Sequence, residues 1–397
     1  MQDSYTNRWL LPDGIQEMLP PDAKAVEQLR QSILGLYDSW GYDLVMPAMV
    51  EFTDSLLTGT ANSLQRKTFT LIDQISGKLM GVRSDMTPQV ARIDAHQLSG
   101  SQQTSRLCYC GHLLHAQTDG LNPSRSPLQI GAEIFGNASI EADIEVVSLM
   151  LETMHRVNLH RVSIDLGHVG IFRSLFEQSG LDKSREAILF DMLQRKSIPE
   201  LKSFLQQQDL TPVQRKQFCQ LALLNGDVDI IQQAREIYQD SSEECKSALD
   251  HIESVARGIQ QRYPDVLIHC DLSELRGYEY HTGLVFAAFL PGQGREIARG
   301  GRYDDIGSVF GVARPATGFS TDLLNLYMLS GKPAQTDETI LAPNKDDRQL
   351  NQLIADLRKQ GKRVIIDLSN GEMSPQQQSC QQVITANGND WIVSNIK

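Results

Sequence analysis

Apolar positions recur at helical spacing through residues 21–40. Val26, Leu29, Ile33, Leu36, Tyr37 and Trp40 share one face, which predicts a helix that opens near Pro21 and stops at Gly41. Tyr42 to Met46 then reads as a strand ending at Pro47, and Asp43 suits a sheet edge or an interface. Thr87-Pro88 predicts a helix start, with Thr capping free amides and Pro in the first position; that helix runs to about Leu98. After a polar loop, Arg106 to Leu114 and Leu128 to Phe135 read as antiparallel strands joined by a Gly/Pro/Asn/Ser-rich connection. A helix after Ser139 carries Ile144, Val147, Leu151 and Met154 on one face, with Glu141 and Glu145 at its positive end, and Arg161 to Gly167 follows as a strand.

The period then changes. Residues 170–262 are rich in Leu, Gln, Glu, Lys and Arg at helical spacing, so a helical insertion is expected there. Strand pattern returns at Val266 to Asp271 and in a hairpin, Leu284 to Phe289 with Arg295 to Ala298, around Pro291-Gly-Gln-Gly. Thr317 to Leu329 reads as a strand running into a helix, and Gly331 to Asp337 as a linker. The last residues read as a strand, a helix with Leu350, Leu353, Ile354 and Leu357 inward, a strand from Arg363 to Leu368, and a final strand near Trp391. The expected domains are a core made of residues 1–169 and 263–330, the insertion 170–262, and a small α/β domain, 331–397.

Composition narrows the function. The net charge is −12, and an acidic surface repels phosphates, so nucleic acid is not expected as a partner. The six cysteines form no CxxC pair, and neither a metal site nor a cofactor motif is found. Met1-Gln-Asp-Ser-Tyr lacks a charged stretch leading into an apolar one, and no apolar run is long enough for a bilayer. No membrane association and a reducing, cytoplasmic setting are therefore expected.

Three segments are dense in candidate chemistry. In Val82-Arg-Ser-Asp-Met-Thr-Pro88, Asp85 and Thr87 sit where a strand turns into a helix, as a helix cap or as ligand contacts. In Leu128-Gln-Ile-Gly-Ala-Glu133, residues Gln129, Gly131 and Glu133 share one strand face, either solvated or with room for a ligand over the glycine. Glu274-Leu-Arg-Gly-Tyr-Glu-Tyr-His-Thr-Gly283 packs Arg, two Tyr and His into six residues before an apolar strand, more than a structural loop needs. Together they offer carboxylates for a cation, Arg276 for an anion and rings for a flat group: the inventory for a small zwitterion such as an amino acid.

In this order, these segments resemble the class II core of histidyl-tRNA synthetases from about Leu11 to Leu329. The match includes Tyr42 to Ser55 (the first motif), Arg106 to Phe135 (the second), the RGYEYHTG loop, Gly300-Gly-Arg-Tyr-Asp304, and Gly318 onward (the third). The resemblance implies an α+β fold: a class II aminoacyl-tRNA synthetase-like core, with a mostly antiparallel six-stranded sheet flanked by helices, dimerising through the first motif. It implies a histidine site in which Asp85 and Thr87 take the α-amino group and Arg276 the carboxylate. Gln129, Glu133 and Tyr280 surround the rest, and His281 stands where synthetases usually place a second tyrosine.

The nucleotide half departs from the synthetase pattern. Leu114-His-Ala-Gln117 stands for Phe-Arg-x-Glu, and Leu324-Asn325 for the closing Glu-Arg of the third motif. Neither His115 nor Asn325 is a fixed guanidinium fork for a phosphate, so no catalytic residues and no aminoacylation are expected. The opening Arg8-Trp-Leu-Leu-Pro-Asp-Gly-Ile15 and the Tyr-His-Thr-Gly loop resemble the regulatory subunits of ATP phosphoribosyltransferase more than active synthetases. That resemblance implies a short-form catalytic subunit as partner in a hetero-octamer, L-histidine as effector, and feedback inhibition of the first step of histidine biosynthesis. An active synthetase or another synthetase-like amino-acid-binding protein is the alternative.

Overall fold

The strand Leu128–Phe135 is buried along its whole length because it lies inside a nine-stranded sheet. In order across the sheet the strands are Asp43–Leu44, Ser105–His112, Leu128–Phe135, Ala316–Asp322, Glu296–Arg302, Leu284–Phe289, Ser163–His168, Leu267–Asp271 and Asn225–Gly226. This is seen in a computed structural model that describes residues 10–57, 62–98, 104–118, 124–275, 281–307, 311, 313–331, 338–369, 371–388 and 390–396. By internal contacts the chain divides into two units, Met1–Met18 with Val26–Lys332 and Leu19–Ala25 with Pro333–Lys397.

In the larger unit, the six strands from Ser105–His112 to Ser163–His168 each run antiparallel to their neighbours. This is the antiparallel sheet expected from the sequence. Three marginal strands widen it to nine. Asp43–Leu44 pairs in parallel with Leu107 and Cys108, Leu267–Asp271 in parallel with Ser163–His168, and Asn225–Gly226 closes the far edge. The expected strand Tyr42 to Met46 shrinks to its two paired residues, Asp43 and Leu44. The strand expected to stop at Ala298 continues to Arg302, because cross-strand pairing carries the chain through Arg299-Gly-Gly-Arg302, where apolar alternation is absent. A separate three-stranded sheet of Val50–Phe52, Leu79–Val82 and Phe69–Ile72 was not legible; its strands have three or four residues, too few for a period to show.

Alternation gives the large sheet two different faces. One carries Ile130, Ala132, Ile134, Phe319, Ala288, Ile164 and Leu166, all buried. It packs against the helices Asp22–Ser39, Ile140–Arg156 and Glu243–Arg262, with Tyr37 meeting Phe319 edge to face at 6.1 Å between ring centroids. The other face carries Gln129, Gly131, Glu133, Gly318, Ser320 and Gly301, and holds the candidate site.

Between the strands Ser163–His168 and Leu267–Asp271 the elements are helices joined by turns, with Asn225–Gly226 the one strand. Its helices include Pro212–Leu221, opened by a capping box between Thr211 and Gln214, and the 20-residue Glu243–Arg262, whose buried stripe runs from Cys245 to Ile259. Near the site, the helix expected to run to Leu98 is α-helical over Thr87–Ile93 and then widens into a π turn, Asp94–Leu98.

The smaller unit orders its four strands Arg363–Ile366, Thr339–Ala342, Gln382–Asn387 and Asp390–Asn395. The helix Arg348–Lys359 is capped by Asp347, which accepts from the Leu350 amide at 2.9 Å. Ile340, Ala342, Leu350, Ile354, Val364 and Ile384 form its core. Gln382–Asn387 was not expected, since three of its last residues are exposed and show no inward face.

Phe319→Ala removes a ring that is 2% exposed and should cost the larger unit about 3–5 kcal/mol of stability, measured by chemical denaturation.

Candidate functional site

The turn before the helix Thr87–Ile93 is held from behind. Arg83 donates from Nη1 to the Pro47 carbonyl at 2.7 Å and from Nε to the His112 carbonyl at 2.8 Å. Asp85 Oδ1 accepts from the Thr87 amide at 3.0 Å in an Asx turn just ahead of the helix, whose N-cap position is Met86 with no side-chain cap, so Thr87, expected as the cap, lies inside the first turn. The Thr87 hydroxyl is thereby free to turn toward the sheet, where it lies 3.0 Å from the Tyr109 hydroxyl and donates to Glu133 Oε1 at 3.2 Å.

Glu133 is 1% exposed. Tyr109 donates to its Oε1 at 2.8 Å and Tyr303 donates to its Oε2. Burial pushes this carboxyl up to about 8, against the lowering effect of the hydrogen bonds from Tyr303 and Tyr109, and the nearby charge of Asp85 adds to the rise. At neutral pH the free site therefore holds a largely protonated acid, able to donate one hydrogen bond and still accept others. Glycines make room for it. A Cβ at Gly318 would lie 1.5 Å from Glu133 Oε2, one at Gly131 would lie 2.6 Å from the Tyr109 hydroxyl, and one at Gly301 would lie 2.7 Å from the His281 ring.

A cavity of about 280 Å³ opens over this face, with Asp85, Thr87, Glu133, His281, Arg299 and Tyr303 among its lining residues. Of the residues expected to bind histidine, the structure brings Asp85, Thr87, Glu133 and His281 to one cavity. Gln129 stands behind Asp85: its Nε2 donates to Asp85 Oδ1 at 2.9 Å and to the Ser320 hydroxyl at 3.1 Å, and its Oε1 accepts from the Met86 amide at 2.9 Å. It orients Asp85 rather than lining the open space. Arg276 and Tyr280 lie outside the described residues. Tyr109 and Tyr303 were missed as site residues; Tyr303 stands in the Gly300-Gly-Arg-Tyr-Asp304 motif, but only strand register turns both hydroxyls toward Glu133.

The two departures from the synthetase pattern are internally bonded. His115 Nε2–H donates to the Ser84 carbonyl at 2.9 Å, and its backbone is tied to Arg125 in both directions. Asn325 Oδ1 accepts from Arg295 Nη2 at 3.1 Å. A guanidinium does therefore stand beside Asn325, supplied by another segment and already engaged. Among the described residues no cluster of His, Cys, Asp or Glu is arranged to hold a metal ion, and no helix is long and apolar enough to cross a membrane.

Comparison with known proteins gives the chain a family. A histidyl-tRNA synthetase family model matches residues 14–326, and a model of the ATP phosphoribosyltransferase subunit HisZ C-terminal domain matches residues 337–394. An ATP phosphoribosyltransferase regulatory subunit of Thioalkalivibrio sulfidiphilus is 50% identical over 398 residues and covers 100% of both chains. The chain belongs to the family of ATP phosphoribosyltransferase regulatory subunits. A member from Alkalilimnicola ehrlichii is 46% identical over 98% of each chain. Among solved structures, an ATP phosphoribosyltransferase regulatory subunit/histidyl-tRNA synthetase from Bacillus halodurans superposes with a TM-score of 0.84 at 26% identity, covering 94% of this chain and 97% of that one. A histidyl-tRNA synthetase of a Nostoc species, 18% identical, shares the fold with a TM-score of 0.78 over 98% of this chain and 97% of that one.

Because folding raises Glu133 from the ordinary 4.5 to about 8, the folded protein holds a proton that the unfolded chain has released between those values. The stabilisation is full at low pH and falls as pH rises through that window. Thermal unfolding of the ligand-free protein should therefore show a loss of stability between roughly pH 5 and 8 that Glu133→Gln abolishes.

Proposed function

We propose that this chain is a non-catalytic regulatory subunit of ATP phosphoribosyltransferase that binds L-histidine at the cavity of Asp85, Thr87, Glu133 and His281. Gln129 orients Asp85, and Arg276 and Tyr280 complete the ligand shell. The observation that carries the reading is a contrast between the two halves. Asp85, Thr87, Glu133 and His281 line one cavity, whereas His115 and Asn325, at the two phosphate-gripping positions of synthetases, are not among its lining residues and are bonded to Ser84 and Arg295. A polar pocket of this kind discriminates strongly, because a ligand without matching donors and acceptors leaves buried groups unpaired.

The partner is the short-form catalytic subunit, which makes phosphoribosyl-ATP, and the assembly is a hetero-octamer in the cytoplasm. Histidine favours the less active arrangement of the complex, a coupling of about 1–3 kcal/mol. Within it the chain forms a homodimer through the first motif. Leu44, Met46, Met49 and Phe52 are exposed there, with Leu71, Ile72 and Leu79 on the adjoining small sheet. A concentration of apolar side chains of this kind in water marks an association surface.

Mixing the chain with the short catalytic subunit should raise the rate of phosphoribosyl-ATP formation, and histidine should lower it again. No change in either case would overturn the reading. Glu133→Ala should abolish the histidine effect while leaving activation in place; unchanged inhibition would remove the pocket assignment. ATP–pyrophosphate exchange with histidine should stay at background. Met46→Asp places a charge on a side chain that is 81% exposed and should shift the isolated chain from dimer toward monomer in analytical ultracentrifugation.

A further inference from the structure

The helical insertion reaches the ligand pocket through two polar ties that start far apart in the sequence and end on neighbouring residues. The first begins at His251, on the helix Glu243–Arg262. Its Nε2 lies 2.9 Å from Asp143 Oδ2. Asp143, on the helix Ile140–Arg156, has a side chain with no exposure. Burial pushes its carboxyl up, but the hydrogen bond from His251 and the charge of Arg302 outweigh that and hold it below the usual range. The carboxylate therefore only accepts, and His251 Nε2 carries the proton.

The same Oδ2 atom accepts from Arg302 Nε at 3.1 Å and from Nη2 at 2.9 Å. The rest of the Arg302 guanidinium binds the Asn137 and Ser139 carbonyls and Asp304, so it has one arrangement. The next residue, Tyr303, donates to Glu133 inside the cavity. The second tie begins at Arg173, on the helix Val169–Ser179, whose Nη2 donates to the His281 carbonyl at 3.3 Å. The two ends meet: the His281 ring lies over Gly301, and the Thr282 amide donates to the Arg302 carbonyl at 2.8 Å. A buried Arg–Asp pair with a third donor from another segment exceeds what core packing requires, since apolar residues of similar size fill such space at no loss of stability.

We infer that His251 is a positioning residue of the pocket: from the insertion it holds Arg302 through Asp143, and so keeps Tyr303 and the Glu133 carboxyl in the arrangement that receives ligand. Ligand binding and the placement of the helix Glu243–Arg262 are then coupled in both directions. The inference rests on the cavity being the histidine site.

The test is calorimetric titration of L-histidine into the full chain and its variants. His251→Leu should weaken histidine binding by about tenfold, within the usual range of such coupling. His251→Gln, whose amide nitrogen reaches as far as Nε2, should restore affinity to within about twofold of the parent. Ile252→Val, at a fully buried neighbour on the same helix whose side chain has no donor for Asp143, should lower the melting temperature without changing affinity. Should His251→Leu not fold, His251→Asn, one atom too short to reach Asp143, carries the same comparison. Binding by the parent with unchanged affinity in the Leu or Asn variant overturns this inference alone. Equal weakening in Ile252→Val also overturns it, because the effect would then be general destabilisation. No binding of histidine by the parent overturns the pocket reading and this inference with it.

Discussion

A carboxyl group shut away from water must either lose its charge or be surrounded by donors, and Glu133 does both. Its burial raises its proton affinity, and Tyr109, Tyr303 and Thr87 converge on its two oxygens. Those donors come from a neighbouring strand, the end of the strand Glu296–Arg302, and the first turn of the helix Thr87–Ile93. One residue therefore sets the distance between three segments. It also dictates small neighbours, since a side chain at Gly318 would occupy the space of the Glu133 carboxyl itself. The glycine content of this face follows from the polar groups it has to accommodate, while the opposite face, free of that demand, is packed with aliphatic and aromatic side chains against helices.

On the proposed reading, a catalytic scaffold has become a binding one. Catalysis needs groups that stabilise charge developing on a phosphate. Binding an amino acid needs only matched donors and acceptors. His115 and Asn325 have been absorbed into the protein's own hydrogen-bond network, one by a backbone carbonyl and one by Arg295. The guanidinium beside Asn325 is informative, because a cation is present yet already committed. What has been lost is an unengaged fork in the right place rather than positive charge as such.

On the proposed reading, occupancy of the pocket has to be felt elsewhere in the complex. Rigid, buried polar contacts suit this because they have discrete arrangements, unlike apolar contacts that slide. The pocket is joined to two such regions. Arg83, Gln89 and Arg92 bind the turn and helix at the pocket to Pro47, Ala48 and Glu51, beside the exposed apolar residues of the first motif. Arg302 and Asp143 bind it to His251 of the insertion.

The sequence by itself determined the family, the six antiparallel strands and the helical stretch between Ser163–His168 and Leu267–Asp271, because these rest on long periodic segments and ordered motifs. It also placed Asp85, Thr87, Glu133 and His281 in candidate site segments, since polar residues clustered at strand ends and turns have no packing reason to be there. Short strands such as Val50–Phe52 and Asn225–Gly226 stayed hidden, having too few residues for a period, and Arg299 to Arg302 was hidden by its glycines. Only the tertiary structure decided that Asp85 closes a turn ahead of the helix while Thr87 turns inward, that Gln129 supports rather than lines the cavity, and that Tyr109 and Tyr303 share one carboxyl. These depend on register and on contacts between residues up to 191 apart in the chain, and local sequence carries no information about which of two buried donors meets which acceptor.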